Sequence, residues 1–405
     1  MRRTASPPAG LVFLASAIVF TDTLFYAAIV PLLPTYVADF DLTKTGAGIL
    51  AAAYPAGTLL AALPGGWLAA RIGVRPTVIV GLSTLIASSL AFAFAPNILV
   101  LDLARFVQGL GGAASWAGAI GWLIGASPRE RRGELIGSAM AAAIVGALGG
   151  PVLGGAAVAL GPEVVFSGVA AVATALLVWA ALMPEPTAGL RTSLRTVFAS
   201  MRDPRVWVAM WLVGLVGLIF GTLDVLAPLR LDALGAGAAT IAGTFLVAAG
   251  LEAAQSPLTG RFSDRHGRVL PILLGLAAGG VGVALLPWPT TVWLLIVVIV
   301  VAAPCVGSLW SPSMAMLSDG AEARAVDQGY AVALSNLAWS SGQTAGAAGG
   351  ARLGEAYGDA LPYLTLAGLS ALTLLALIRP RFSAALASGD ARTGASARPA
   401  RRAGG

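Results

Sequence analysis

The amino-acid sequence predicts an all-α membrane protein of twelve transmembrane helices, set in two six-helix bundles related by pseudo-twofold symmetry. Three observations carry that expectation. Of 405 residues, 57% are hydrophobic and only 11% are charged, and the mean hydropathy is +0.84. A soluble domain carries about 25% charge, so this chain has too little polar surface to cover a water-borne globule. Runs of about 20 apolar residues recur along the chain, each long enough to cross a hydrocarbon core of about 30 Å. The second half also repeats the glycine and charge pattern of the first. A soluble enzyme, a nucleic-acid binder and a disulfide scaffold are excluded by this composition. The single Cys305 can form no disulfide within one chain, and the lone His266 leaves no cluster for a metal or for histidine-based catalysis. No catalytic site, metal or cofactor is expected.

Breaks at proline, glycine and charged clusters set the spans. They fall at 11–36, 46–69, 76–95, 97–124, 134–160 and 163–183, then at 206–229, 238–260, 269–287, 291–317, 329–351 and 361–379. Arg2 and Arg3 ahead of an apolar run resemble a signal peptide. That run continues through Pro34 without a small-residue cleavage site, so it reads as a retained first helix. With the N-terminus inside, all of the 25 Lys and Arg residues except Lys44, Arg105, Arg230 and Arg352 fall in cytoplasmic segments or tails. The net charge of +6 is therefore a topology signal rather than a mark of nucleic-acid binding. The expectation is a multi-pass protein of the bacterial inner membrane, surrounded by lipid, monomeric, with both termini cytoplasmic.

The organisation follows from the spans: an N-terminal bundle over 1–183, a cytoplasmic loop over 184–205, a C-terminal bundle over 206–380 and a disordered tail over 381–405. In the loop, Leu190, Leu194, Val197, Phe198 and Met201 recur at helical spacing. A short helix on the inner membrane surface and a solvated linker both fit that pattern. The halves are related by Gly73 and Gly267, by Gly81 and Gly275, and by Gly154-Gly155 and Gly349-Gly350, each pair separated by almost the same number of residues. Parallel repeats of six spans are the architecture of two-bundle secondary transporters.

The motifs sharpen this reading. Gly260, Asp264, Arg265, Gly267 and Arg268 form a complete Gly-x-x-x-Asp-Arg-x-Gly-Arg loop between spans eight and nine. Between spans two and three the copy holds Gly66, Arg71, Gly73 and Arg75, with Ala70 at the acidic position. Glycines allow close helix approach and a tight turn, and the Asp can accept hydrogen bonds from Arg or from a helix N-terminus. Loop charges that merely obey the positive-inside rule are the plainer alternative. This pair of loops resembles the signature of the major facilitator superfamily, and the likeness covers 11–380. Span five carries Gly137, Gly146, Gly150, Pro151, Gly154 and Gly155, which resemble that superfamily's antiporter motif, Gly-x8-Gly-x3-Gly-Pro-x2-Gly-Gly. The resemblance implies drug:proton exchange rather than symport. Physically, small residues let helix backbones touch and Pro151 permits a bend.

Span four holds Arg105, Gln108 and Gly109 in a stretch similar to the family's Arg-x-x-Gln-Gly-x-Gly-x-Ala motif. A permanently charged Arg in a span must face protein or water. The resemblance implies a part in proton coupling; Asp102, three residues earlier, could instead simply neutralise it. Intramembrane carboxylates are functional candidates by default. Asp22 falls near the midplane of span one, Asp224 towards the outer end of span seven, and Glu252 inside span eight. Each can hold a proton or a cation, which is a minimal exchange device, so Asp22, Arg105, Asp224 and Glu252 are the expected proton-coupling residues.

The stretch Asp22 to Pro34 looks like the vesicular amine transporter branch of the twelve-span drug:proton antiporters, in which the equivalent Asp engages the amine. Asn336 stands where that branch has an acid, so amine specificity is not carried over. Tyr26, Tyr54, Trp116, Trp310, Asn336, Trp339 and Gln343 complete the expected substrate site with Asp22 and Glu252, since ring faces hold cations and flat molecules while amides orient polar groups. Packing or interface aromatics are the plainer reading of each ring taken alone. The resulting expectation is an exporter of small hydrophobic, often cationic compounds driven by the proton gradient. The alternatives are a proton symporter or facilitator importing a nutrient, and a membrane scaffold or enzyme.

Overall fold

A computed structural model describes residues 9–126, 132–184, 204–322 and 328–379. Among them every regular element is helical, the outcome required where no water is present to satisfy backbone N–H and C=O groups. The helices are α1 (Ala9–Ala27), α2 (Ile29–Asp39), α3 (Lys44–Ile72), α4 (Val74–Ala93), α5 (Ile98–Ala126), α6 (Arg132–Leu160) and α7 (Pro162–Leu182). They continue as α8 (Pro204–Ala233), α9 (Ala238–His266), α10 (Val269–Leu285), α11 (Val292–Gly307), α12 (Trp310–Glu322), α13 (Gln328–Tyr357) and α14 (Ala360–Ile378). The central-loop helix and the tail expected from the sequence lie outside the described residues.

Two expected spans are each broken into two helices. Span one divides at Ala28 into α1 and α2 because Pro31 has no N–H to donate to Ala27 and its ring crowds that carbonyl. Span ten divides at Ser308 and Leu309 into α11 and α12, with Pro312 standing in the same relation to the Ser308 carbonyl. Counting each broken span once, ten segments are long and apolar enough to cross a membrane among the described residues. The other two spans depart for separate reasons. Helix α10 is short at 17 residues, and α13 is diluted by Ser335, Asn336, Ser340, Ser341, Gln343 and Thr344. Outward faces carry exposed Phe13, Leu99, Val172, Leu182, Trp293 and Leu372, a surface suited to hydrocarbon rather than water.

Glycines control how closely the helices approach. A Cβ on Gly57 would stand 2.1 Å from the Phe106 carbonyl oxygen, and one on Gly109 would stand 2.0 Å from that of Tyr54, so α3 and α5 meet backbone to backbone. The C-terminal half repeats the device, with Gly342 on Gly214 and Gly346 on Leu218 joining α13 to α8. The sequence repeat is visible at its loops as well. Gly73 ends α3 at φ 100° and Gly267 ends α9 at φ 82°, a left-handed turn that a side chain would strain.

Helices of the two halves meet first along α3 on α13, then α6 on α9 and α2 on α8, with smaller contacts of α3 on α8 and α2 on α9. One end of the first line is closed by a clasp. Lys44 Nζ pairs with Asp359 Oδ1 at 2.5 Å, and the Thr45 N–H donates to Glu355 Oε2 at 2.7 Å. One turn deeper, a Cβ on Gly48 would stand 2.4 Å from that of Ala351. Hydrogen bonding from Thr45 and Thr43 holds the exposed Glu355 carboxyl below the usual glutamate range. The motif loops lie at the opposite ends of their helices, where Gly66 and Gly260 have nothing within 4 Å of an added Cβ.

Candidate functional site

Asp22 on α1 is 1% exposed. Its Oδ2 accepts hydrogen bonds from Tyr54 Oη at 2.7 Å and from Trp116 Nε1 at 3.0 Å, while Oδ1 has no partner. The approach is possible because position 112 is glycine: a Cβ there would lie 2.8 Å from Oδ1. The Tyr54 ring stacks on Tyr26 with centroids 4.7 Å apart. These rings and Trp116 enclose the carboxyl, which does not line the cavity described below.

Arg105 is fully buried, and its guanidinium spends its donors on the break in span one. Nη2 donates to the Tyr26 carbonyl at 3.1 Å, and Nη1 to the Phe25 carbonyl at 3.4 Å and Gln108 Oε1 at 2.8 Å. The last carbonyls of a helix lack intrahelical donors, and the proline break leaves those of α1 in the interior, so a cation at that C-terminus satisfies both the dipole and the orphaned oxygens. Its charge also lies 5.3 Å above the Tyr54 ring. Neutralisation by Asp102 is not how Arg105 is balanced; Asp102 Oδ1 has no hydrogen-bond partner.

The antiporter-like glycines press on the same break. A Cβ at Gly146 would meet the Phe20 carbonyl oxygen at 2.5 Å, one at Gly150 the Ala27 Cβ at 2.3 Å, and one at Gly154 the Ala28 carbonyl oxygen at 2.1 Å. Three glycines at four-residue spacing therefore seat α6 along α1 and across its joint with α2. Gly155 faces α9 instead, where an added Cβ would stand 3.2 Å from that of Ala242, and a Cβ on Gly137 would have nothing within 4 Å.

A cavity of about 200 Å³ lies between the halves, walled by α1, α2, α3, α6, α8, α9, α11 and α13. Asp224 and Glu252 are the charged residues of its wall. Around them stand Tyr26, Phe220, Phe245, Trp339 and Gln343, with Pro151 at the α6 side. Gln343 donates to Tyr26 Oη across the halves and stands on the same wall as Asp224. Trp310 backs this wall as a second layer, edge-on to Trp339 at 5.2 Å. Asn336 sits two turns before Gln343 on α13, half-buried and outside the lining.

Of the expected substrate residues, the cavity thus gathers Tyr26, Glu252, Trp339 and Gln343, with Asp224. It does not include Asp22, which is buried behind the half-buried Tyr54 and Trp116. Phe220 and Phe245 were missed by sequence reasoning, although they stand four residues before Asp224 and seven before Glu252, on the helix faces those acids already mark. At the loop motif, Arg268 bonds Asp264 and Ser263 Oγ and reaches Asp319 Oδ2 at 3.3 Å, which ties α9 to α12 within the C-terminal half. In the other copy Arg75 bonds the Ala181 carbonyl, and Arg71 covers the Trp67 ring at 5.1 Å.

A helical assembly with a cavity at its internal-repeat interface, clasped at one end, defines the class of membrane transporters rather than of enzymes. The Major Facilitator Superfamily matches over residues 14–326 and 252–403. The chain belongs to that family, and it is a multi-pass transporter. Among curated relatives, the MFS-type transporter ppzB of Metarhizium rileyi is 28% identical over 141 residues, 34% of this chain and 29% of that protein. The quinolone resistance protein NorA of Staphylococcus aureus is 28% identical over 137 residues, 34% of this chain and 35% of that protein. The matches thus span about a third of these relatives' length. Among solved structures, a bacterial homologue of the human lysosomal transporter Spinster, in an inward-facing and unoccupied conformation, shares the fold. Its TM-score is 0.74 at 15% identity, covering 98% of this chain and 100% of that one.

Proposed function

We propose that the protein is a proton-coupled antiporter that exports small hydrophobic, often cationic compounds by alternating access, in the manner of the twelve-span drug:proton antiporters. The observation that carries this reading is the cavity: its charged residues are two carboxylates, Asp224 and Glu252, and its remaining wall is largely aromatic and aliphatic. A wall of that sign attracts cations, and ring faces hold them or stack on flat molecules. A proton on either carboxyl removes the charge that draws the cation in. Proton entry therefore releases cargo, and cargo entry releases a proton, with no cofactor needed beyond the gradient.

The distribution of Lys and Arg supports cytoplasmic termini, which puts the Lys44–Asp359 clasp outside. In that orientation the conformation described here is closed outwards, and cargo enters the cavity from the cytoplasm. Exchange then requires the clasp and the Tyr26–Gln343 bond to part while contacts form at the other end. The glycine seam of α6 on the α1–α2 joint supports an antiporter, because it is the place where one helix can pivot on another without a side chain intervening. The quinolone resistance for which NorA is named supports drug export. An amine in this cavity reaches Asp224 or Glu252 before Asp22, which sets the chain apart from a vesicular-amine mode of binding.

Inverted membrane vesicles from cells making the full chain test this directly. Acidifying the vesicle interior should drive accumulation of tetraphenylphosphonium, and a protonophore should abolish it. Efflux of a preloaded neutral sugar together with protons, and no accumulation of the cation, would overturn the export reading.

A further inference from the structure

The joint of span ten holds a feature that neither the family motifs nor the cavity explains. Gly307 closes α11 immediately before the non-helical pair Ser308 and Leu309. A Cβ on Gly307 would stand 2.4 Å from both Cδ and Oε1 of Glu252 and 2.6 Å from its Cγ. No carbon approaches another so closely without a bond, so the Glu252 carboxyl occupies the volume that any side chain at 307 would fill.

The rest of that α9 face is fastened around the same joint. Gln255 donates its amide to the Pro304 carbonyl on the α11 side, and Ser256 Oγ meets Ser311 Oγ at 3.1 Å on the α12 side. Positions 252, 255 and 256 are three and four residues apart, so they share one face of α9. Helix α9 is thus held to both halves of a broken helix, with its carboxyl laid on the bare backbone between them.

We propose that Gly307 is the positioning residue for the Glu252 carboxyl: its uncovered Cα is a seat that holds the acid against the joint of span ten. A change in the angle of that joint moves the acid between the seat and the cavity, which links the position of the charge to the conformation of the transporter. The proposal rests on Glu252 being a working acid of the cavity, but its test does not depend on transport.

The test uses the full-length protein in detergent and dicyclohexylcarbodiimide, a hydrophobic carboxyl reagent, with labelling of the Glu252 peptide followed by mass spectrometry. Gly307→Ala should drive the carboxyl off the seat into the cavity and raise the labelling rate about threefold or more, since reagent access then no longer requires the joint to open. In a Glu252→Asp background the shorter side chain clears the new methyl group, so adding Gly307→Ala should leave the labelling rate of residue 252 unchanged. Where Gly307→Ala lowers the folded yield, the same Glu252→Asp change should restore it. Equal labelling of the wild type and Gly307→Ala, or a yield loss that Glu252→Asp does not rescue, would overturn the seat. Absence of cation transport in the wild type, with these labelling results intact, would instead fail the export reading alone.

Discussion

The acids of the two halves sit in opposite surroundings. Asp22 is enclosed by Tyr54, Trp116 and the backbone of Gly112, next to a buried Arg105 that caps the broken α1. Asp224 and Glu252 line a cavity of about 200 Å³ among rings and small aliphatic groups, with Gln343 on the same wall. An enclosed carboxyl with fixed donors is held in one arrangement, and its charge is balanced by the protein. A carboxyl on an open wall, as Asp224 is, can exchange a proton for a cation at little rearrangement, and Glu252 joins it when the joint of span ten frees it from its seat. The sequence alone assigns proton coupling to all three acids; the difference separates exchange of charge with cargo, at Asp224 and Glu252, from keeping the middle of the N-terminal half in register, at Asp22.

Substitution separates these jobs. The largest effect is expected at the cavity. Asp224→Asn removes an exchangeable charge and should lower cation-driven proton flux about 100-fold, equivalent to about 2.7 kcal/mol. It should leave the melting temperature of the purified protein unchanged. Asp22→Asn should do the reverse in kind. It takes the counter-charge from a fully buried guanidinium, so about 2 kcal/mol of stability should go with it, read as a lower melting temperature. A stable Asp22→Asn alongside an unstable Asp224→Asn would reverse the assignment.

The smallest effect is expected at the clasp, which belongs to neither acid group. Lys44 and Asp359 are partly exposed, and pairs of that kind contribute about 0–1 kcal/mol. Because the Glu355 carboxyl lies below its ordinary value, its contribution to the closed end is present above the usual glutamate range and is lost as pH falls through the lowered value. Spin labels placed on the α3 and α13 ends should therefore report one short distance through neutral and mildly acid pH. A second, longer distance should appear only below about pH 4, the ordinary glutamate range. Separation of the labels near pH 6 would assign the clasp to another group.

The spans were legible because hydrocarbon demands length and uniform apolarity, and both are local properties of the chain. The joints at Ala28 and Ser308 were not read as breaks, although Pro31 and Pro312 mark them. Proline in a membrane helix is tolerated where neighbours support the break, and at the first joint Arg105, about eighty residues along the chain, binds the adjacent Phe25 and Tyr26 carbonyls. The depth of Asp22 was legible from its place in span one. Its enclosure was not, because Tyr54 and Trp116 come from other spans and only the fold brings them together. The role of Gly307 left no pattern to read, since a single glycine in an apolar run matters only through the side chain that lies on it. Gly137 fits the spacing of the span-five motif yet touches nothing, while Gly146, Gly150 and Gly154 earn their place through contact with α1 and α2.

The central claim is that cation and proton exchange at the wall formed by Asp224 and Glu252. Purified protein in liposomes, with a pH-sensitive dye trapped inside and a proton gradient imposed, tests it most directly. Adding tetraphenylphosphonium should collapse the gradient in the wild type and in refolding-competent Asp22→Asn protein alike, and should leave it standing in Asp224→Asn and Glu252→Gln. Collapse that survives both cavity substitutions and disappears only with Asp22→Asn would contradict the account and move the exchange site to Asp22 in the N-terminal half.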